Sequence, residues 1–203
     1  MTHIEPTVFV VDDDPGVLES LKLLLRSVGL AAETFASAHE FLEAYDPEKP
    51  GCVVLDVRMP DMSGLELQDR LRALESTLPI IFITAHGDVP MAVKAVKTGA
   101  VDFIQKPFRD QELIDRIQHA IEDNARNREQ VRELKRYHDR MASLTPRERQ
   151  VMELVVEGKA NKVIASELGL SQRTVEIHRA RVMKKMEASS VSSLVQMVMR
   201  AGK

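Results

Sequence analysis

VVLDVRMPDMSG, at residues Val53–Gly64, is a short apolar run that ends on the carboxylate of Asp56. A β-branched apolar run of this length predicts a strand that is buried on both faces of a sheet. Asp56 would then lie at the carboxyl end of a strand, on the rim where open parallel α/β sheets bind their ligands. Asp56 is therefore either a candidate for chemistry or an acid that caps the next helix or turn, and the ends of the other strands decide between these interpretations.

Four further apolar runs alternate with helical patterns on both sides of this stretch. They lie at Thr7–Val11, Ala31–Phe35, Ile80–Ile83 and Val101–Ile104. Five strands that alternate with five helices over short loops predict an α/β doubly wound (βα)5 domain with the flavodoxin-like strand order 2-1-3-4-5. The first and third strands are neighbours in this order, which brings Asp12, Asp13 and Asp56 to one edge of the sheet.

Three carboxylates at one edge need a counter-charge, because like charges so close together oppose each other's ionisation. A hard divalent cation with oxygen ligands, Mg²⁺ above all, fits such a site, and Lys106 after the fifth strand offers an ammonium group. With the hydroxyl of Thr84 these groups suit the oxygens of a phosphoryl group, so Asp56 is predicted to be a nucleophile that accepts phosphate. The alternative for Asp12 to Asp14 is a run of acids at a helix N-terminus, and Asp14 fits that alternative well.

Charge is divided unevenly along the chain. The net charge of the 203 residues is −3, but residues 1–141 hold 17 Lys/Arg and 25 Asp/Glu, whereas residues 142–203 hold 11 and 6. An acidic first part and a basic second part favour two domains, of which the second meets a polyanion. Cys52 is the only cysteine, and no apolar run is long enough to span a membrane. We therefore expect a cytoplasmic protein with no membrane partner.

The segment between the two parts, residues 123–141, contains neither Pro nor Gly and is rich in helix-forming residues. Val131, Leu134, His138 and Met141 follow at near-heptad intervals, which predicts that the preceding helix continues as a helical linker. The pattern leaves open whether this helix is a solvated connection or binds a partner.

The basic part of the chain has the pattern of an all-α, four-helix helix-turn-helix domain. A capping box at Thr145–Glu148 opens the first helix, and Asn161–Leu168 is the second. Gly169–Ser171 is a tight turn before the third helix, Gln172–Met186, and the fourth helix carries the apolar residues of Val191–Val198.

The third of these helices has two different faces. A period of 3.6 residues places Val175, Val182 and Met186 on its core stripe. The opposite face carries Arg173, Ile177, Ala180, Arg181 and Lys184. An exposed isoleucine among cations suits a helix in the major groove, where Ile177 meets a thymine methyl group and Glu176 accepts from a cytosine amino group. The alternative is a solvated cationic face.

Four motifs in the first part resemble the receiver domain of two-component response regulators. They are VDD at Val11–Asp13, LDVRMP at Leu55–Pro60, ITA at Ile83–Ala85 and KPF at Lys106–Phe108, within residues 5–125. The resemblance implies that a cognate sensor histidine kinase phosphorylates Asp56. It also implies that Asp13 binds Mg²⁺ directly, that Asp12 helps through water and that Arg58 contributes its backbone carbonyl.

The resemblance further implies a switch and a homodimer. Thr84 and Phe103 would move together on phosphorylation, although Phe103 has no hydroxyl where many members of the family carry tyrosine. The face formed by the fourth strand, fourth helix and fifth strand would then change shape, and we expect phosphorylated copies to dimerise through it. The bond between Lys106 and Pro107 is expected to be a cis peptide.

Three motifs in the second part resemble the LuxR-type DNA-binding domain. They are LTPRE at Leu144–Glu148, NKVIA at Asn161–Ala165 and TVEIHR at Thr174–Arg179. With HGDVP at His86–Pro90 and AVDF at Ala100–Phe103, the whole chain resembles the FixJ subgroup of the NarL/FixJ response regulators. The resemblance implies that Glu176, Ile177 and Ala180 face the bases of DNA. It also implies that Asn161, Lys162 and Thr174 approach backbone phosphates. The implied partners are double-stranded promoter DNA and RNA polymerase, with the last helix pairing two protomers on the DNA.

These patterns predict a phosphorylation-dependent transcription factor. Its receiver domain spans residues 5–122, its helical linker residues 123–141 and its DNA-binding domain residues 142–203. One alternative is a phosphohydrolase that uses Asp56 as nucleophile, but enzymes of the haloacid dehalogenase type need a second carboxylate where this chain has Arg58. Another is an interaction module that works without phosphorylation.

Overall fold

The computed structural model describes residues 5–85 and 89–201. The chain separates into two compact units, Met1–Arg128 and Glu129–Lys203. The residues His86–Asp88 of the HGDVP motif lie outside the described residues.

The first unit alternates strands and helices, as predicted. Its elements are β1 (Thr7–Val11), α1 (Pro15–Ser27), β2 (Ala31–Phe35), α2 (Ala38–Ala44), β3 (Gly51–Asp56), α3 (Gly64–Ala73), β4 (Ile80–Thr84), α4 (Val89–Lys97), β5 (Asp102–Gln105) and α5 (Asp110–Ser143), which continues into the second unit. The five strands form one parallel sheet in the order β2-β1-β3-β4-β5. The doubly wound fold and its strand order are therefore confirmed, and the expected element bounds differ by about two residues or fewer, as helix and strand ends commonly do.

The sheet is covered on both faces, which explains why the residues of β3 form a continuous apolar run. Val53 and Leu55 belong to the core on one face of the sheet, whereas Cys52 and Val54 belong to the core on the other face. Successive side chains of a strand point to opposite faces, so a central parallel strand covered by helices on both faces is apolar at every position.

Gly64 allows α3 to start directly beside the end of β3. A Cβ atom at this position would lie 2.2 Å from the backbone oxygen of Asp56, which is far inside van der Waals contact. The N-terminus of α3 is closed by a capping box between Ser63 and Glu66. The loop after Asp56 is therefore short and tightly held.

The second unit is a small helical domain. Besides the last part of α5 it contains α6 (Pro146–Val156), α7 (Asn161–Leu168), α8 (Gln172–Lys185) and α9 (Val191–Ala201). The predicted capping box of α6 is present, and Gly169 ends α7 in the left-handed conformation, at a φ of 64°. Val175, Val182 and Met186 are buried in the core of this unit, which confirms the predicted core stripe of α8.

The segment predicted as a helical linker is helical throughout, within α5. Val131 and Leu134, two members of its thin apolar stripe, are exposed. Among the described residues, no helix combines the length and the apolar character that crossing a membrane requires.

Candidate functional site

The carboxyl ends of the strands gather the predicted receiver residues at one edge of the sheet. β1 and β3 pair in parallel with Val11 opposite Leu55, so Asp12 follows one strand where Asp56 ends its neighbour. Thr84 ends β4, and its backbone oxygen accepts from the backbone N–H of Lys106 at 2.8 Å. Four chain segments thus bring Asp12, Asp56, Thr84 and Lys106 to the same edge of the sheet.

Lys106 bridges the two carboxylates at the centre of this site. Its Nζ lies 2.7 Å from Asp12 Oδ2 and 3.2 Å from Asp56 Oδ1. Asp12 is 2% exposed and Asp56 is 7% exposed, so both acids are buried. Because two ionised carboxylates share one ammonium group, the cluster retains one uncompensated negative charge.

Backbone N–H groups hold the other oxygen of each carboxylate. Asp12 Oδ1 accepts from the N–H of Asp14 at 2.9 Å, and Asp56 Oδ2 accepts from the N–H of Arg58 at 2.6 Å. Sequence reasoning missed these donors, although an Asp whose carboxylate binds the N–H two residues later is a common turn signal. Asp14 itself caps α1 by accepting from the N–H of Gly16, as expected of an acid at a helix N-terminus.

The two central charged groups have shifted pKa values. Burial raises the pKa of Asp56 above its ordinary value, and this effect outweighs the opposing hydrogen bond from Arg58 and the charge of Lys106. Burial acts to lower the pKa of Lys106, but its hydrogen bond to Asp12 and the nearby carboxylates raise that pKa overall. Lys106 is therefore a fixed positive charge beside a carboxylate of increased basicity.

The remaining predicted residues of the receiver differ in exposure. Thr84 is buried, whereas Phe103 is half-buried on β5, with its ring centroid 6.3 Å from that of Phe82. The bond between Lys106 and Pro107 is cis, as the resemblance implies.

The type of side chain at this site suits a divalent cation, but fewer carboxylates come together than the sequence predicts. Asp12 and Asp56 offer carboxylate oxygens as ligands, and Lys106 balances only one of their two negative charges. Both properties fit a hard cation. The side chain of Asp13 is exposed. Within residues 5–85 and 89–201, no three acidic, histidine or cysteine side chains are grouped closely enough to hold a metal ion. The structure therefore brings together two of the three carboxylates expected around a metal.

α8 exposes the face that the sequence predicts for DNA. The exposed residues are Arg173, Glu176, Ile177, Ala180, Arg181 and Lys184. Ile177 is 47% exposed and lies among the cationic side chains of this face. At the start of α8, the Ser171 hydroxyl accepts from the backbone N–H of Thr174, whose side chain is half-buried.

The start of α7 contains the other predicted DNA contacts. Lys162 is exposed and Asn161 is half-buried. Asn161 Oδ1 accepts from Nη1 of Arg179 on α8 at 2.7 Å, a contact that the sequence pattern does not reveal.

An ion pair between the half-buried Lys185 and the buried Glu148 joins α6 to the end of α8. Lys185 Nζ lies 2.6 Å from the carboxylate of Glu148 and also donates to the backbone oxygen of Ser143 at 2.9 Å. The hydrogen bonds from Lys185 and from the backbone of Thr145 lower the pKa of Glu148 from 4.5 to about 2. Lys185 thus has a structural partner, whereas its neighbour Lys184 is exposed.

Two family descriptions match this chain. Residues 8–118 match the response regulator receiver domain, and residues 142–198 match the bacterial regulatory proteins of the luxR family.

Several known proteins are similar to nearly the whole chain. The transcriptional regulatory protein FixJ of Bradyrhizobium diazoefficiens is 48% identical over 96% of this chain and 95% of its own length. Nodulation protein W of the same organism is 50% identical over 94% of this chain and 84% of its own length. The response regulator protein TodT of Pseudomonas putida is 46% identical over 98% of this chain and 88% of its own length.

Solved structures show the same similarity. The response regulator StyR matches 97% of this chain and 99% of its own chain with a TM-score of 0.90 and 48% identity. Full-length FixJ from B. japonicum matches 97% of each chain with a TM-score of 0.60 and 47% identity.

A doubly wound receiver domain followed by a LuxR-type helix-turn-helix domain defines the class of two-component response regulators with a DNA-binding output. The chain belongs to the NarL/FixJ family of these regulators and is FixJ-like.

Proposed function

We propose that this response regulator is a transcription factor that a cognate sensor histidine kinase phosphorylates on Asp56, and that phosphorylation promotes dimerisation and promoter binding. The observation that carries the proposal is the Lys106 ammonium group held between Asp12 and Asp56 at the carboxyl edge of the sheet. The proposed division is a receiver domain over residues 5–122, a helical linker over residues 123–141 and a DNA-binding domain over residues 142–203.

The chemistry assigned to Asp56 is nucleophilic. A carboxylate oxygen attacks the phosphorus of a phosphohistidine, the P–N bond breaks with its electron pair returning to the imidazole, and an acyl phosphate forms. Lys106 stabilises the charge of the transferred group, and the Thr84 hydroxyl binds one of its oxygens. The buried position of Asp56, 3.2 Å from the Lys106 ammonium group, supports this role.

Asp12, Asp13, Asp56 and the backbone carbonyl of Arg58 would hold a Mg²⁺ ion. When bound, this cation neutralises charge on the phosphoryl oxygens and on the acidic cluster. The excess negative charge left after Lys106 has paired with Asp12 and Asp56 supports a cation here.

Phosphorylation is expected to act through Thr84 and Phe103. A phosphoryl group adds nearly two negative charges, which draw the Thr84 hydroxyl towards it and leave space for the Phe103 ring to turn inwards. The surface formed by β4, α4 and β5 then changes and pairs with a second copy. Moving such a two-state element from mostly off to mostly on requires about 5.5 kcal/mol of preference.

The output is promoter binding by α8 in the major groove. Glu176, Ile177 and Ala180 face the bases there, and Arg173, Arg181 and Lys184 add positive charge along the groove. Asn161, Lys162 and Thr174 approach backbone phosphates, and RNA polymerase is the expected partner at the promoter. The exposure of Ile177 between cationic side chains supports this assignment.

Phosphate uptake from acetyl phosphate tests the receiver half of the proposal. With Mg²⁺ and radiolabelled acetyl phosphate, the wild type should acquire label and Asp56→Asn should acquire none, because an amide oxygen does not form the acyl phosphate. Asp61→Asn is the matched control, since Asp61 is exposed in the same loop and its φ of 64° is one that Asn adopts readily. Label retained by Asp56→Asn at the level of the wild type would overturn the assignment.

A further inference from the structure

Arg179 and Asn161 connect the two helices of the helix-turn-helix. Arg179 lies on α8, near the core stripe, and its Nη1 donates to Asn161 Oδ1 on α7 at 2.7 Å. Both side chains are half-buried. The partner of this guanidinium group is a neutral amide, so its positive charge is not cancelled by the contact.

The contact fixes which end of the Asn161 amide faces away from Arg179. A guanidinium group has five donors and no acceptor, so the atom that it binds must be the carbonyl oxygen of Asn161. The Nδ2 group, with its two N–H donors, is then the end of the amide left for another partner. In the opposite orientation the carbonyl oxygen would face that partner and would repel an anion.

The surroundings of Asn161 favour an anionic partner. Asn161 is the first residue of α7, and the preceding residue, Ala160, provides no side-chain cap for the N–H groups at this end. The adjacent Lys162 is exposed. The uncapped start of α7 and the neighbouring Lys162 thus supply donors and positive charge next to Asn161 in the chain, and a backbone phosphate of DNA is the anion that the proposed function supplies.

We propose that Arg179 is a positioning residue for DNA binding, which orients Asn161 so that its amide N–H groups donate to a backbone phosphate. The inference rests on the proposed DNA-binding function and adds to it a residue outside the exposed face of α8. Arg179 should affect the affinity for every DNA sequence alike, because phosphate contacts position a protein on DNA and do not read bases.

Three substitutions in the full-length protein separate this role from a purely structural one. Arg179→Met removes the donors and keeps an apolar stem, Arg179→Lys keeps a donor, and Asn161→Asp keeps the bond to Arg179 but removes the N–H donors. Affinity is measured by fluorescence anisotropy on a labelled random-sequence duplex over a series of salt concentrations, with every protein in beryllofluoride and Mg²⁺, and thermal unfolding is measured in parallel. Arg149→Met is the control, because it also removes one positive charge and one hydrogen bond, to the Met141 carbonyl, from the same unit.

Arg179→Met should weaken binding about tenfold and leave the slope of log affinity against log salt nearly unchanged, because the phosphate contact that it orients comes from a neutral amide, while Arg179→Lys restores most of the affinity. Asn161→Asp should unfold at the same or a higher temperature, since a carboxylate pairs more strongly with arginine, yet bind DNA at least about tenfold more weakly. Combining Asn161→Ala with Arg179→Met should weaken binding no more than either substitution alone.

The inference is overturned if Arg179→Met binds as tightly as Arg149→Met, or if Asn161→Asp binds as tightly as the wild type. If Lys184→Ala still weakens binding in that case, the DNA-binding proposal stands and only the role of Arg179 fails. A wild-type protein whose binding to the duplex is absent or insensitive to salt would overturn both.

Discussion

Asp56 and Glu148 are two buried acids that each accept from a lysine, yet their pKa values shift in opposite directions. Burial dominates at Asp56, whose lysine partner also serves Asp12, so the pKa of Asp56 is raised. The hydrogen bonds from Lys185 and Thr145 dominate at Glu148 and lower its pKa to about 2. The first arrangement is of the kind that clusters at functional sites, whereas the second is an ion pair that stabilises the fold.

The ion pair of Glu148 predicts a pH-dependent stability. A lowered folded-state pKa contributes stability that is present above the unfolded value of 4.5 and is lost as the pH falls towards 2. Glu148→Gln should therefore unfold at a lower temperature than the wild type at pH 6, by roughly 5 °C, and the two should converge between pH 5 and pH 2. Circular dichroism during thermal unfolding of the full chain measures the temperature difference at pH 6 and its loss at lower pH.

Glu153→Gln is the control for this prediction, because Glu153 is exposed on the same helix, α6. It should follow the wild type at every pH. A difference between Glu148→Gln and the wild type that stays constant from pH 6 to pH 2 would show that Glu148 stabilises through shape and not through its charge.

At the scale of single elements, α5 is tied to the first unit beyond the end of the predicted receiver domain. Asn124 is 1% exposed; its Oδ1 accepts from the Gly51 N–H at 3.2 Å and its Nδ2 donates to the Thr77 carbonyl at 2.6 Å. Arg128, one turn further along, donates to the carbonyls of Pro47 and Glu48 at 2.7 and 2.6 Å. These contacts hold the helix against two loops at the amino ends of the strands.

Removal of the Asn124 side chain should destabilise the first unit. Asn124→Ala leaves the Gly51 N–H and the Thr77 carbonyl without this partner, at a loss of about 2–4 kcal/mol in the free energy of unfolding. Asn127→Ala, at an exposed position of the same helix, should change it by less than about 0.5 kcal/mol. Urea unfolding measures the free energy of unfolding of both variants. Equal values for Asn124→Ala and Asn127→Ala would refute the anchoring role of Asn124.

The contrast between α8 and α5 indicates what the sequence could and could not predict. The buried stripe of α8 follows from the spacing of Val175, Val182 and Met186, because apolar periodicity reports directly on burial. Asn124 and Arg128 are buried through pairing with distant backbone groups, and a polar residue in a charged helix gives no sign of such partners. The link between Arg179 and Asn161 escaped the sequence for the same reason.

At the scale of the whole molecule, the candidate site was predictable because a parallel sheet collects the carboxyl ends of all its strands. Asp12, Asp56, Thr84 and Lys106 could be placed together from strand order alone, although they are up to 94 positions apart in sequence. The hydrogen bonds within the site could not be predicted in this way, since strand order does not determine which carboxylate oxygen each donor binds. The exposed position of Asp13 was likewise not evident from its place in the motif.

The proposed dimer surface can be tested on α4. Val96 is 53% exposed there and would be buried between two activated receivers. The wild type should change from monomer to dimer in size-exclusion chromatography when beryllofluoride and Mg²⁺ are added, whereas Val96→Asp should stay monomeric and still take label from acetyl phosphate. Val28→Asp, at an exposed position after α1, should dimerise normally. A wild type that remains monomeric under both conditions would exclude this surface as the switch.

The proposed switch requires that the state of Asp56 controls the affinity of the protein for DNA. The measurement is the affinity of the full-length wild type and of Asp56→Asn for a duplex selected from random DNA by the beryllofluoride-treated protein, each with and without beryllofluoride and Mg²⁺. We expect treatment to raise the affinity of the wild type at least about tenfold and to leave that of Asp56→Asn unchanged. Equal affinities of the wild type in both states, or an equal increase in Asp56→Asn, would contradict a switch controlled by Asp56.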